Sequence, residues 1–259
     1  MLKIGDYVTR KSYNHDIVFQ VLEINGKEVL LKGIDYRLVA TASIEDLEVA
    51  SKERCKCDDE YAKKNLIDRL NRSDYFYIPG KVLHIDGDKD YLERCMKYYK
   101  EAGIMAIGKS AKEEDMPKVI NKYLIENNPD ILVITGHDAY YKKRIGETEL
   151  YKNSNNFIKC VKVARKYEKS NENLIIIAGA CQSNYEELIK SGSNFASSPK
   201  RINIHALDPA IIATTLSLSE RDKSINLIEL LEKTKYGKDG VGGIKSKGMM
   251  YTGYPRNEV

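Results

Sequence analysis

The sequence predicts an α/β protein built on a mostly parallel sheet, with a small antiparallel β unit in front of it. Three observations carry this. The runs Ile131-Leu132-Val133-Ile134-Thr135 and Leu174-Ile175-Ile176-Ile177-Ala178 are apolar along their whole length, as central strands buried on both faces are. From residue 81 onward, strand-like and helix-like segments alternate, the order of a parallel sheet wrapped by helices. Near the N-terminus, Ile17, Phe19 and Val21 alternate before Asn25-Gly26, and Val29 and Leu31 follow it; Asn-Gly between two such runs is a strong hairpin signal.

In chain order, residues 1–50 read as a compact unit of five short strands. Residues 51–79 form a charged, helix-compatible linker with Ala62, Leu66, Ile67 and Leu70 on one face, ended by Pro79-Gly80. Residues 80–259 form the α/β domain. Strands are expected at 81–85, 104–107, 131–135 and 174–178, with helices at 89–102, 116–127, 154–168 and 184–191. Asp88 is placed to cap the first helix, and Ser183-Asn184-Tyr185-Glu186 reads as a capping box opening the fourth. Two more short strands are expected at 194–197 and 202–204. A helix follows, with Asp208 as N-cap and Pro209 in its first turn. The glycine-rich last twenty or so residues read as loop with one strand. No internal repeat is present.

Composition bounds the function. A chain of 259 residues with 42% hydrophobic residues has the composition of a globular protein with a sizeable core. No stretch approaches the roughly eighteen apolar residues of a membrane span, and the first residues lack the apolar core of a secretory signal, so a cytosolic protein is expected. Five cysteines (Cys55, Cys57, Cys95, Cys160 and Cys181) form no disulfide framework. The net charge of +4 is spread along the chain, unlike the clustered basic footprint of a nucleic-acid binder.

The chemistry lies just past two strands. In α/β sheets, residues beyond the C-terminal strand ends face the ligand crevice. His137 follows one such strand and Cys181 the next, 44 residues later, room for a loop, a crossover helix and the return strand. A thiol near pKa ~8.5 is a weak nucleophile at neutral pH, and a neighbouring imidazole and a helix N-terminus both raise the reactive thiolate fraction. Backbone N–H groups of the turn at Cys181 are placed to receive an oxyanion. Cys55-Lys56-Cys57 is a lone Cys-x-Cys without a second pair, so no metal is expected. His84 reads as a satisfied core histidine, His205 as a residue near a strand end within reach of substrate, and Lys142-Lys143-Arg144 as solvated loop surface or a gate beside the site.

Two resemblances add to this. Ile4-Gly5-Asp6-Tyr7-Val8 and Ile44-Glu45-Asp46-Leu47-Glu48-Val49 resemble the first and last strands of an SH3-like β-barrel. A strand ending in His, and one some fifty residues later ending in Ala-Cys, resemble the caspase-like cysteine peptidases, although Asp138 stands where their post-histidine glycine does. This resemblance implies a caspase-like three-layer sandwich, and an oxyanion hole built from the backbone N–H groups of Cys181 and Asp138.

A closer likeness spans nearly the whole chain. The segments Lys81-Val82-Leu83-His84-Ile85-Asp86-Gly87-Asp88, Pro129 to Asp138, Ala178-Gly179-Ala180-Cys181-Gln182-Ser183-Asn184-Tyr185 and Asn194 to Arg201 resemble the YabG family of sporulation-specific proteases. The resemblance implies a cysteine endopeptidase of the mother cell, associated with the spore coat. It would process coat and germination-related proteins next to arginine, with His137 and Cys181 as its catalytic pair. It implies neither metal nor organic cofactor. An arginine substrate calls for a carboxylate; Asp138, Asp86 and Asp88, all at strand ends, are the candidates. The rival reading is a non-catalytic receiver-like α/β domain whose barrel docks protein partners, but its phosphoacceptor aspartate is missing at Thr135-Gly136-His137.

Overall fold

The computed structural model describes residues 2–50, 75–141 and 151–256. By its contacts the chain divides into two units, Met1–Asp59 and Glu60–Val259. The expected linker helix and the Cys55-Lys56-Cys57 group lie outside the described residues, as does Lys142-Lys143-Arg144.

In the first unit, β1 (Tyr7–Arg10), β2 (Phe19–Asn25), β3 (Glu28–Gly33), β4 (Val39–Ser43) and β5 (Leu47–Val49) form one sheet in the order β4-β3-β2-β1-β5. Its pairings are all antiparallel. Alternation puts Phe19, Val21, Val29 and Leu31 inside with Val8, Ile17, Leu38 and Leu47. The hairpin turn sits at Gly26-Lys27, one residue later than expected, because Asn25 pairs with Glu28. Gly26 alone of the two takes positive φ.

The second unit is a three-layer α/β/α arrangement. Strands β7 (Val82–Asp86), β8 (Ala106–Ser110), β9 (Ile131–Thr135), β10 (Ile175–Ala178), β11 (Phe195–Ser197) and β12 (Val241–Gly243) make a sheet in the order β12-β11-β10-β9-β7-β8. All neighbours are parallel except β11 and β12. Helices α1 (Lys89–Glu101), α5 (Asp208–Ser217) and α6 (Leu227–Glu232) pack with Val82, Ile131, Val133, Ile175 and Ile177 on one face. Helices α2 (Met116–Asn127), α3 (Ser154–Tyr167) and α4 (Tyr185–Lys190) cover Leu83, Leu132, Ile134, Ile176 and Ala178 on the other. Every residue of β9 is buried, and full burial of each Ile, Leu or Val side chain is worth roughly 1.5–3 kcal/mol. A separate two-stranded ribbon pairs β6 (Phe76–Ile78) with β13 (Tyr251–Gly253).

Several expectations fail for local reasons. No strand forms at 202–204; the place beside β11 is taken by β12, while Ile202 and Ile204 spend backbone groups on Ser198, Gln182 and Cys181. Asp208 does not cap its helix. Leu207 holds that position, and the Asp208 carboxylate accepts N–H bonds from His205 and Lys235 instead. Asn184, not Ser183, caps α4. The C-terminal region holds two strands rather than one, and neither α6 nor β6 was legible in the pattern.

One polar chain crosses the apolar strands. Thr135 Oγ1 donates to Asp86 Oδ2 at 2.8 Å, so at 2.7 Å from His84 Nε2 it must accept, and the His84 Nδ1 then meets the Tyr99 hydroxyl at 3.1 Å. His84 is thus a satisfied core residue. Thr135→Val keeps the shape but leaves two buried polar groups short of a partner. It should lower the unfolding free energy by about 1–3 kcal/mol, read by urea denaturation, with Thr135→Ser largely restoring it.

Candidate active site

The switch point of the sheet lies between β7 and β9, whose following chains diverge to β8 and β10; crevices of this kind open at the C-terminal strand ends. Three loops meet that edge, after β7, β9 and β10. The register pairs Ile134 with Ala178, and His137 and Cys181 each stand three residues past those partners. Both therefore leave the same edge of adjacent strands.

His137 is held on all sides. Its backbone N–H donates to Glu113 Oε1 at 2.8 Å, and its carbonyl accepts from Asn153 Nδ2 at 2.8 Å. The ring's Nε2 lies 3.0 Å from Asp88 Oδ2, and Tyr91 meets the ring edge-on with centroids 5.6 Å apart. Among the described residues the buried Nδ1 has no hydrogen-bond partner. A Cβ at Gly136 would crowd the Glu113 side chain, which packs closely against this backbone.

Cys181 follows Gly179, whose φ of +109° suits only glycine and whose Cβ would crowd Leu188 and Ser197. The sulfur accepts the Ile204 N–H at 3.3 Å, and its S–H donates to the Ile204 carbonyl at 3.7 Å. The residue has no exposed surface, and the His137 ring makes no hydrogen bond to it. Sequence reasoning placed the two residues on one edge; it did not foresee the bonds between the sulfur and the Ile204 backbone. The expected support from a helix N-terminus is also weak: α4 has six residues and begins four positions after the thiol.

The three proposed substrate carboxylates are otherwise engaged. Asp138 is buried; its Oδ1 accepts the N–H groups of Ala139 and Asn153, and its Oδ2 accepts the hydroxyls of Ser154 and Ser183. With Ser183 also receiving the Ala180 N–H, this carboxyl ties the His137 loop to the Cys181 turn rather than facing a guanidinium. Asp86 is buried as well, bonded to Thr135 and to the Asp88 N–H. Asp88 receives the Asp90 and Tyr91 N–H groups on Oδ1 and His137 on Oδ2. Of the two expected oxyanion donors, the Asp138 N–H has no acceptor among the described residues.

His205 is buried, its N–H on Asp208 and its Nδ1 accepting the Leu207 N–H, so it braces the start of α5. Other described thiols are structural: Cys95 lies in the core, 3.5 Å from the Ala206 carbonyl, and burial pushes the Cys160 thiol up to about 12. No group of three or more His, Cys, Asp or Glu side chains is placed to hold a metal among the described residues. Among them too, no helix is long and apolar enough to cross a membrane. Sequence reasoning missed Glu113 and Ser154 altogether. Gly136 signals that something approaches closely, but not which side chain.

The family described as YabG peptidase U57 matches residues 3–73 and 58–255. The chain belongs to the YabG peptidase family. It is 39% identical to the sporulation-specific protease YabG of Bacillus subtilis (strain 168), over 98% of each chain. Two solved structures of the receiver domain of the histidine kinase CKI1 from Arabidopsis thaliana are 13% identical, with TM-scores of 0.28. They cover 46% and 44% of this YabG-family chain and 85% and 76% of their own. Similarity at that level carries no inference about fold or function.

Burial holds the Asp138 carboxyl above its ordinary value, outweighing the hydrogen bonds from Ser154, Asn153, Ser183 and Ala139 that pull it down. A raised folded value means that the group's contribution is complete below the unfolded value near ~3.9 and is lost as pH climbs through the folded one. The stability of the native protein minus that of Asp138→Asn should therefore fall as pH is raised from acid toward neutral. Urea titrations across that range read it, and a rising difference would contradict the assignment.

Proposed function

We propose that this YabG-family peptidase is a cysteine endopeptidase with Cys181 as nucleophile and His137 as general base. The carrying observation is the shared three-residue offset of the two side chains past paired residues of adjacent parallel strands. His137 takes the thiol proton, the sulfur adds to the scissile carbonyl, and the imidazolium protonates the departing amine; water then hydrolyses the thioester. The backbone N–H groups of Asp138 and Cys181 stabilise the oxyanion, each such donor being worth about 3–4 kcal/mol. Catalytic hydrogen bonds often tighten only with substrate bound, which accommodates the unbonded pair. Because Cys181 is buried and bonded to the Ile204 backbone, a substrate carbonyl in this reading reaches it only once the surrounding chain shifts.

The substrates in this reading are spore-coat and germination-related proteins, met in the mother cell and cut next to arginine; the name of the Bacillus relative supports the sporulation part of it. No metal or organic cofactor takes part. The first unit, read as an SH3-like barrel, docks those proteins, and the second is a caspase-like catalytic domain. With Asp138 and Asp86 committed inward, Glu113 becomes the candidate for the arginine-binding carboxylate. It is partly exposed at the crevice beside Gly136.

Cys181→Ala should abolish cleavage of coat-protein extracts and of fluorogenic peptides with arginine at P1, and His137→Ala should remove nearly as much. The double variant should be no worse than either alone, because residues acting as a unit are non-additive. Retained cleavage by folded Cys181→Ala rules the nucleophile out. Glu113→Gln preserves an acceptor for the His137 N–H while removing the charge. It should lower kcat/KM for arginine peptides by about tenfold or more while sparing those with neutral P1 residues.

A further inference from the structure

We infer that Asp88 is the positioning residue of this site: it holds His137 as the Nε2–H tautomer and so makes Nδ1 the nitrogen that exchanges a proton with Cys181. The inference rests on the cysteine peptidase reading above and deepens it.

An ionised carboxylate only accepts hydrogen bonds, so Nε2, 3.0 Å from Asp88 Oδ2, must carry the ring proton. Nδ1 is then the lone-pair nitrogen, and it is the one left buried with no partner among the described residues. The opposite tautomer would turn a lone pair against the carboxylate and bury an N–H with nothing to receive it, wrong at both ends of the ring. Capping α1 does not by itself account for this geometry. The Asp90 and Tyr91 N–H groups bond to Oδ1, whereas the imidazole meets Oδ2.

Asp88 is itself held from behind. Its backbone N–H donates to Asp86 Oδ1 at 2.9 Å, and Asp86 is anchored in the core by Thr135. The same first turn of α1 supplies Tyr91, whose ring packs edge-on to His137. Helix start, carboxylate and aromatic wall form one seat for the ring, and the Asp88 side chain is only 11% exposed, which limits competition from water.

In the reaction the Cys181 proton passes to Nδ1, giving an imidazolium whose Nε2–H stays on nitrogen beside Asp88. The thiolate forms the C–S bond, the peptide C–N bond breaks, and the Nδ1 proton leaves on the amine. In deacylation Nδ1 takes a proton from water as its oxygen attacks the thioester, the C–S bond breaks, and that proton returns to sulfur. Asp88 is never protonated.

Asp88→Asn tests this, because asparagine is as good an N-cap as aspartate and its Oδ1 can keep the α1 bonds. Its amide then offers an N–H to Nε2 and favours the Nδ1–H tautomer. On a fluorogenic peptide with arginine at P1, kcat should fall by about 100-fold or more with KM nearly unchanged, as wrong-tautomer variants of a hydrolytic triad do. Asp88→Glu, which restores a carboxylate, should recover part of the loss. In parallel, 15N NMR of His137 should show an unprotonated Nδ1 in the native protein and a protonated Nδ1 in Asp88→Asn. Native kcat in folded Asp88→Asn, or a protonated Nδ1 in the neutral native protein, overturns the inference. If Cys181→Ala is inactive in the same assays, the peptidase reading survives that failure; an active Cys181→Ala sinks both.

Discussion

The parallel register of β7, β9 and β10 is the constraint on which the site depends. Alternate side chains of these strands are committed to two different cores, Ile131 and Val133 to one and Leu132 and Ile134 to the other. A slip of one residue would exchange every side chain between faces designed for different helices, so the register is strongly specified. With it fixed, the chain leaves the sheet at Asp86, Thr135 and Ala178 on a single edge, and residues a few positions later can act together only there.

That edge is stiffened by polar groups that the apolar strands would otherwise exclude. Burying a carboxylate, an imidazole and a hydroxyl is costly unless each finds a partner. Here Asp86, Thr135 and His84 satisfy one another across β7 and β9. Asp138 plays the corresponding part between β9 and β10, joining the His137 loop, the start of α3 and the turn at Cys181 through Ser154 and Ser183. Two buried carboxylates thus tie the three loops together through inward hydrogen bonds.

Family membership and geometry account for different properties of the protein. Membership establishes a peptidase; the geometry accounts for why a histidine and a cysteine in this chain are brought to one edge. The buried sulfur bonded to the Ile204 backbone is a feature that neither the family nor the motif implies. A thiol shielded in this way is protected from adventitious oxidants, whose attack depends on exposure.

Periodicity and apolar run length were enough to locate most of the strands and helices of the α/β unit, because two-sided burial and amphipathic spacing are written locally. They also placed His137 and Cys181 just past neighbouring strands. They could not say which partner each polar side chain would take. Ser183 and Asp208 read as caps, yet the fold gives them to Asp138 and to the His205 and Lys235 backbones, because a hydroxyl or carboxylate bonds whichever donor or acceptor packing brings nearest. Asp88 both caps a helix and grips a histidine 49 positions away, and no local pattern reveals the second bond. Elements and their edge follow from the order of residues along the chain; the roles of carboxylates are assigned by three-dimensional proximity, since hydrogen bonds act over ångströms and not over sequence separation.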